Sequence, residues 1–258
     1  MSALLDEYGG VQARYYEQYF DGVLGDLEFF AGLAAEAGSP VIELGCGNGR
    51  VMTAMAASGV DVVGIDRSRE MLCRGNRPSR PTVPGRTSTV LADMRCFHLR
   101  CQFTLATIPY RSFQHLLTPA DQRQALSCIR DHLQPDGLLA FNLFDPSGLV
   151  AANGWKGEEI PKKDTEFIDP ATGSVVEVWY SRSYDPATQL MVQDLTYRPA
   201  GLPGSVWERA RLTLRYSQRY EIEHLLELCG FRVAALYGDF AGTEYAGVGE
   251  QVWIAQKV

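Results

Sequence analysis

The sequence predicts an α/β fold in which an open, mainly parallel sheet is followed by an antiparallel β insertion. Short apolar runs alternate with helical stretches as far as Phe144, which is typical of parallel strands joined by crossover helices. The first of these runs leads directly into a glycine-rich turn. From Val175 to Ser217, in contrast, apolar and polar residues alternate in long runs with the two-residue period of β-strands.

The elements of the first half follow from this pattern in chain order. Two helical segments, about 11–20 and 24–37, precede a first strand at 41–45. The Thr118-Pro119 pair supplies a helix cap followed by proline at the first helical position, and Pro135 to Gly137 marks the end of that helix. Five parallel strands are predicted, joined by helices at about 48–58, 68–75 and 119–133.

The second half reads as a β insertion followed by a return to the main sheet. Three β-rich runs are predicted, namely Val175–Tyr180, Leu190–Tyr197 and Ala210–Tyr216. Asp185 to Thr188 is a tight-turn sequence that joins the first two runs as a hairpin. A helix at about 221–229 then ends at Gly230, before strands at 231–237 and 249–256.

We therefore divide the chain into four segments. These are an N-terminal helical lid at 1–40, a cofactor-binding core at 41–149, the antiparallel β insertion at 150–218, and a C-terminal completion of the core sheet at 219–258. The insertion begins where the fifth strand ends. We expect it to cover the substrate that binds beside the cofactor, or to contact another copy of the chain. The second role would make the protein a homo-oligomer, which we expect.

The turn after the first strand carries the strongest functional signal. Gly45, Gly47 and Gly49 let the backbone adopt positive φ and approach a ligand closely, and Glu43 adds a carboxylate at the strand end. A dinucleotide pyrophosphate would favour the spacing G-x-G-x-x-G and no adjacent negative charge. A cationic ligand fits better, and S-adenosylmethionine carries both an ammonium and a positively charged sulfur. The alternative is a structural turn that binds nothing.

Two further acids follow later strands in the same order. Asp66 ends the second apolar run, where an acid can accept hydrogen bonds from both hydroxyls of a ribose. Asp93 lies near the end of the third run, in a position to accept a hydrogen bond from the amino group of an adenine. Each acid alone is also compatible with a solvated strand end or a helix cap.

These motifs resemble those of class I S-adenosylmethionine-dependent methyltransferases, which have a Rossmann-like sheet. Glu43 to Arg50 resembles the first motif of the family, Ile65-Asp66 the second, Ala92 to Met94 the third, and Phe103 to His115 the strand and loop that face the methyl group. The resemblance implies S-adenosylmethionine as the cofactor and S-adenosylhomocysteine as the product. The cofactor-binding residues that it implies are Tyr16, Glu43, Gly45, Cys46, Gly47, Arg50, Asp66, Arg67, Met71, Asp93, Met94 and Ile108.

Composition restricts the remaining possibilities. The 258 residues are 46% hydrophobic, enough for one substantial core, and no apolar run reaches the length of about 18 residues that a membrane span needs. The N-terminus lacks the basic and apolar regions of a secretion signal, so we expect a cytoplasmic protein. The six cysteines form no C-x-x-C pair, which argues against a metal site.

Charge bears on the partners. The net charge of −7 argues against a nucleic-acid partner, since such binding needs a basic surface. Residues 1–39 contain seven acids and one base, Arg14, and an acidic entrance of this kind favours an amine substrate. The alternative is that these acids occupy solvated helix faces.

Candidate catalytic residues come from two places, the N-terminal segment and the loop after the fourth strand. Tyr8 and Tyr16 are eight residues apart, so a helix would direct both toward one pocket. In the loop, His115 is a candidate general base or amine-orienting group, and Phe113 is a candidate apolar wall. The structural alternative is aromatic packing of a lid, with His115 buried beneath it.

The narrower resemblance is to antibiotic-biosynthesis N-methyltransferases of the lincosamide and aminosugar types, on the tyrosine-rich N-terminus, the loop through Phe113 and His115, and the β insertion. It implies methyl transfer to a small amine-containing secondary metabolite. Two alternatives stay open: a small-molecule O-methyltransferase, for which His115 is the candidate base, and a non-catalytic S-adenosylmethionine-binding module.

Overall fold

The computed structural model describes residues 7–75, 82–146, 160–200 and 207–258, which form two β-sheets with helices packed around the larger one. The start of the chain at 1–6, most of the proline-rich stretch from Asn76 to Gly85, and the segment boundary at 149/150 lie outside these residues. The division into four segments therefore stays a prediction.

The larger sheet has seven strands in the order β3-β2-β1-β4-β5-β11-β10. All its strands run parallel except β11, which is antiparallel to both neighbours. The carboxyl ends of the parallel strands consequently share one edge, where ligands bind in open α/β sheets. The strands are β1 (Val41–Leu44), β2 (Val62–Asp66), β3 (Thr87–Leu91), β4 (Phe103–Ile108), β5 (Leu133–Asp145), β10 (Phe231–Tyr237) and β11 (Gly249–Lys257).

Helices cover both faces of this sheet because the central strands are apolar on both sides. All four residues of β1 are buried, and Trp253 and Phe141 stack in the core near the other end of the sheet. The helices are α1 (Gly10–Arg14), α2 (Tyr16–Tyr19), α3 (Asp26–Ala37), α4 (Arg50–Ala57), α5 (Arg69–Gly75), α6 (Pro119–His132) and α7 (Arg219–Leu228), with a 3₁₀ helix at Ser112–His115.

The second sheet consists of four antiparallel strands in the order β6-β7-β8-β9. They are β6 (Lys162–Ile168), β7 (Val175–Asp185), β8 (Leu190–Pro199) and β9 (Glu208–Arg215). One face of this sheet packs against the N-terminal helices, where Val178 and Tyr197 lie buried against Val11 and Tyr15. The insertion and the N-terminal segment thus share a small core of their own.

The N-terminal segment forms hydrogen bonds to both the core and the insertion. On the core side, the backbone carbonyl of Tyr8 accepts a hydrogen bond from Ser68 Oγ at 3.1 Å, and Gly10 N–H donates to Glu70. On the insertion side, Arg14 pairs with Glu208, Tyr15 donates to Asp169, and Tyr19 donates to Asp164 at 2.7 Å.

The predicted fold class is confirmed, including the antiparallel insertion and the Asp185–Thr188 hairpin. The prediction of one helix over 11–20 was wrong, because Tyr15 leaves helical geometry and separates α1 from α2. Strand β6 was not predicted. Its sequence, Lys162 to Ile168, is mostly exposed and carries too few apolar residues to display a clear alternation.

Candidate active site

A cleft opens at the carboxyl edge of the main sheet, above β1, β2 and β4. It encloses about 950 Å³ of empty space, its open mouth included, which suits a ligand of nucleoside size. The sequence-predicted residues that line it are Tyr8, Tyr16, Gly45, Gly47, Asp66, Arg67, Met71, Asp93, Met94 and His115. The others are Ile65, Ser68, Ala92, Arg95, Tyr110, Ser112, Leu116 and Asp121.

The glycine turn forms the floor of this cleft, and its three glycines, Gly45, Gly47 and Gly49, all have positive φ. Gly45 has a φ of 71°, and a Cβ there would lie 2.7 Å from the Cβ of Ser112. Gly47 has a φ of 54°. The amides of Gly45 and Cys46 both donate to the carbonyl of Ile65, at 2.7 and 3.0 Å, which ties the turn to β2. Because these positions are glycine, no side chain occupies the space between the turn and the cleft.

Asp66 is held by backbone donors at the end of β2. One carboxylate oxygen accepts the N–H of Gly47 at 2.8 Å, and the other accepts the N–H of Ser68 at 2.7 Å. The acid therefore has a fixed orientation at the edge of the cleft, where its carboxylate is able to accept ligand hydroxyls.

Asp93 belongs to a charged network that the sequence did not reveal. Arg95 donates hydrogen bonds to its carboxylate from two guanidinium nitrogens. The third nitrogen donates to Asp121 on α6 at 2.6 Å. Burial raises the pKa of Asp93, but the hydrogen bonds and charge of Arg95 outweigh it and leave the pKa below its ordinary value. The acid lines the cleft as an ionised group that already has a strong partner.

Five predicted site residues lie outside the cleft lining within the described part of the chain. Glu43 is 2% exposed in β1, and its charge acts on Tyr16 and Arg50. Arg50 forms an ion pair with Asp26 of α3 and lies over the ring of Tyr110. Both therefore act on the cleft through residues that line it, Arg50 by its contact with Tyr110 and Glu43 by its charge near Tyr16.

The other three have buried side chains. For Cys46 this leaves the backbone to face the ligand, as expected for a packed side chain in the glycine turn, whereas the expected places of Ile108 and Phe113 in the site need correction. Cys46 is 4% exposed and directs its sulfur toward the backbone of Gly64 in β2. Ile108 and Phe113 are buried in the main core, where the ring of Phe113 packs on Phe141 at a centroid distance of 5.3 Å. The local cause is the 3₁₀ turn, which directs Phe113 inward and His115 toward the cleft.

Three aromatic groups converge at the end of the cleft. The Tyr8 hydroxyl lies 3.1 Å from Nε2 of His115, and the Tyr8 and Tyr16 rings meet edge to face with centroids 6.0 Å apart. Burial, above all, raises the pKa of Tyr8 well above its ordinary value, and burial also raises that of Tyr16. Both phenols are therefore neutral at physiological pH and can donate a hydrogen bond.

His115 has a second partner on its other ring nitrogen. Nδ1 lies 3.0 Å from a carboxylate oxygen of Glu7, and the other oxygen of Glu7 accepts the N–H of Thr213 in β9 at 3.0 Å. The sequence placed Glu7 only among the acids of the N-terminal segment. No local pattern predicts this contact, since 108 residues separate Glu7 from His115.

A second cavity lies beyond these aromatic groups, between the N-terminal segment and the insertion. It encloses about 1000 Å³ of empty space, its mouth included. Tyr8, Tyr110 and His115 line both cavities. The insertion supplies Asp164, Arg182, Met191, Gln193, Leu212 and Leu214 to its wall, while Tyr19, Phe20, Arg111 and Phe144 complete the lining.

The polar groups of the second cavity differ in their pairing. Arg111 is bonded to Glu250 at 2.7 Å, and Asp164 accepts from the Tyr19 hydroxyl. Arg182 donates from Nε to the Gln193 side chain at 3.0 Å and stacks near the ring of Tyr180. None of the ion pairs between described residues involves Arg182, so its guanidinium is a cation that a ligand in this cavity can engage.

The first cleft fits S-adenosylmethionine by the chemistry of its residues. A glycine floor admits close backbone approach, Asp66 offers acceptors for a ribose, and the faces of Tyr8, Tyr16 and Tyr110 suit a positively charged sulfur. Gly45 and Gly47, Asp66, and the Asp93-Met94 pair would hold its methionine, ribose and adenine parts in turn.

Residues 41–137 match a family model described as a methyltransferase domain. The seven-stranded sheet has the class I methyltransferase fold, and this matched domain supports an S-adenosylmethionine-dependent methyltransferase with S-adenosylmethionine as its cofactor.

Similar proteins extend over nearly the whole chain. The cypemycin N-terminal methyltransferase of a Streptomyces species is 24% identical over 208 residues, or 81% of this chain and 78% of that protein. The solved structure of the CcbJ methyltransferase from Streptomyces caelestis has a TM-score of 0.81 at 21% identity and covers 98% of this chain and 99% of its own. The S-adenosylmethionine-bound structure of CalS10, an amino pentose methyltransferase from Micromonospora echinaspora, has a TM-score of 0.69 at 18% identity. It covers 97% of this chain and 98% of its own.

No helix in the described ranges combines the length and apolar character needed to cross a membrane.

Proposed function

We propose that this enzyme methylates the nitrogen of a small amine, of the kind found in secondary metabolites and aminosugars. The observation that carries the proposal is the junction of the two cavities, where Tyr8, Tyr110 and His115 line both. A methyl donor in the first cavity and an acceptor in the second would meet at these three side chains. The second cavity, at about 1000 Å³ with its mouth included, has the size of a small-molecule site.

The chemistry asks the protein mainly for positioning. S-adenosylmethionine, when bound, supplies an electrophilic methyl group. The protein must hold the acceptor nitrogen in line with that group and keep its lone pair unprotonated. Neutral Tyr8 and Tyr16 would orient the amine, and His115, reached through Tyr8, would take its proton.

The names of the similar proteins support nitrogen as the acceptor atom. Cypemycin methyltransferase acts at an N-terminus and CalS10 on an amino pentose, according to their names. For the cofactor end, we assign Gly45, Gly47, Asp66, Arg67, Met71, Asp93 and Met94 to direct contact, and Glu43 and Arg50 to the support of Tyr16 and Tyr110.

One observation favours a second candidate, methyl transfer to a hydroxyl. A hydroxyl must lose its proton as it reacts, and a histidine paired with a carboxylate is a general base suited to that task. The Glu7–His115 pair has this form.

Product analysis distinguishes the candidates. The purified enzyme is incubated with S-adenosylmethionine carrying a deuterated methyl group and a panel of small amines, phenols and alcohols. Mass spectrometry then locates the label, and we expect it on nitrogen. Label on oxygen alone would favour the O-methyltransferase, and cofactor binding without turnover across the panel would favour a binding module.

A further inference from the structure

Glu7 joins three parts of the molecule through one carboxylate. It belongs to the N-terminal segment, one oxygen faces Nδ1 of His115 in the loop after β4, and the other accepts the backbone N–H of Thr213 in the insertion. Its side chain is 17% exposed and that of His115 is 15% exposed, so both are largely shielded from water. Strand β9 is an edge strand, and Glu7 satisfies one of its outward-facing amides.

We propose that Glu7 is a positioning residue that fixes the tautomer of His115, with the proton on Nδ1 and the lone pair of Nε2 directed at Tyr8. This inference rests on the proposed function, since it assigns a direction to the hydrogen-bond chain at the acceptor end of the site.

The direction follows from the donors and acceptors. An ionised carboxylate has only acceptors, so the contact between Glu7 and His115 requires a proton on Nδ1. A neutral imidazole has a single ring proton, which leaves Nε2 as an acceptor. Tyr8 must then donate its phenol proton to Nε2 across the 3.1 Å contact. Each hydrogen bond in the chain therefore points from Tyr8 toward Glu7.

A chain with this direction can remove one proton from an ammonium acceptor. The ammonium proton passes to the Tyr8 oxygen while the phenol proton passes to Nε2, so Tyr8 stays neutral. The acceptor gains a free lone pair, and His115 becomes an imidazolium whose Nδ1–H still faces the Glu7 carboxylate. The carboxylate stabilises this cation and is not itself protonated.

The substitution Glu7→Gln separates positioning from mere attachment of the lid. The Thr213 amide can only donate, so the glutamine carbonyl must face it, and the amide nitrogen must face Nδ1 of His115. That nitrogen donates, which forces the ring proton onto Nε2 and reverses the chain. The contacts and the shape of the side chain are retained while the tautomer changes.

The primary readout is the ¹⁵N NMR spectrum of protein labelled in histidine, recorded at a pH where the imidazole is neutral. His115→Gln assigns the signal among the four histidines of the chain. We expect the wild type to carry the His115 proton on Nδ1 and Glu7→Gln to carry it on Nε2. A wild-type proton on Nε2, or an unchanged tautomer in the variant, would overturn the proposal.

Kinetics provide the second readout, with an amine that the wild type methylates. We expect Glu7→Gln to lower kcat by about 10²- to 10⁴-fold, as wrong-tautomer histidines do, with little change in KM. Calorimetry should give unchanged S-adenosylhomocysteine affinity. The exposed Glu36→Gln is the matched control and should retain wild-type activity.

The outcomes separate this inference from the proposed function. If no amine is methylated but the tautomers behave as expected, the proposed function fails and the positioning role stands. If amines are methylated and Glu7→Gln keeps its kcat, Glu7 only attaches the lid. If the thermal midpoint falls in Glu7→Ala but not in Glu7→Gln, the loss of stability comes from the lost contacts of the side chain and not from the changed tautomer.

Discussion

Asp66 and Gly47 are joined across the floor of the cleft by a 2.8 Å hydrogen bond from the glycine amide to the carboxylate. The acid that ends β2 thus fixes the glycine turn that ends β1. Because the Ser68 amide occupies the other oxygen at 2.7 Å, the carboxylate cannot rotate freely. Preorganisation of this kind lowers the entropic cost of ordering the site when a ligand binds.

Asp66→Ala should weaken S-adenosylmethionine binding by about 1.5–3 kcal/mol, the range for hydrogen bonds that involve a charged group. The loss combines the ribose contact with a looser glycine turn. Calorimetry measures it directly, and Asp61→Ala, at the opposite edge of the sheet, is the control. Unchanged affinity in a folded Asp66→Ala protein would remove this acid from the cofactor site.

Tyr8→Phe should lower kcat by about 10- to 10⁴-fold, because it removes the hydroxyl that contacts Nε2 of His115. Tyr16→Phe and His115→Gln should act in the same direction with the fold intact. Steady-state kinetics test the three variants beside Tyr220→Phe, at a residue that is 65% exposed. If all three retain wild-type kcat/KM at every pH, these side chains serve only as packing.

Arg182→Met should reduce kcat/KM for the acceptor by about 10- to 100-fold, as expected for a charged hydrogen bond, and leave S-adenosylhomocysteine affinity unchanged. The reason is its place in the wall of the second cavity, where only Gln193 holds it by a hydrogen bond among the described side chains. The exposed Arg209→Met, on β9, is the control. If the variant weakens cofactor binding instead, the assignment of the second cavity to the acceptor is contradicted.

Arg95→Gln should destabilise the protein at neutral pH by about 1 kcal/mol, a modest value because the network is partly solvated. Arg95 holds the pKa of Asp93 below its ordinary value, and hydrogen bonds from Thr118 and Arg95 do the same for Asp121. A lowered folded-state pKa stabilises the fold above the unfolded pKa, near 4, and this contribution is lost as the pH falls through the folded value.

The difference between Arg95→Gln and the wild type should therefore shrink below about pH 4. Urea midpoints at pH 7 and pH 3 measure it, and Arg123→Gln, exposed on α6, which also carries Asp121, is the control. A difference that stays constant across this range would assign the effect of Arg95 to packing.

Features set by local sequence were predicted well. Gly45, Gly47 and Asp66 follow strands whose apolar pattern is clear, and parallel strands bring such positions to one edge without further information. The helix start at Thr118-Pro119 is also local, and its hydroxyl accepts the amide of Asp121 as expected.

Features set by distant contacts were not predictable. Arg95 reaches Asp121, and Glu7 reaches both His115 and Thr213, across separations that no local pattern records. Phe113 was misassigned for a related reason. Nothing in its loop indicates that Phe141 would provide a better contact than a ligand.

The N-terminal segment is hydrogen-bonded on one side to Ser68 and Glu70 and on the other to Asp169 and Glu208, and it contributes side chains to the walls of both cavities. A displacement of this one segment would therefore reshape both cavities together. We expect a ligand in one cavity to alter the affinity of the other cavity for its own ligand.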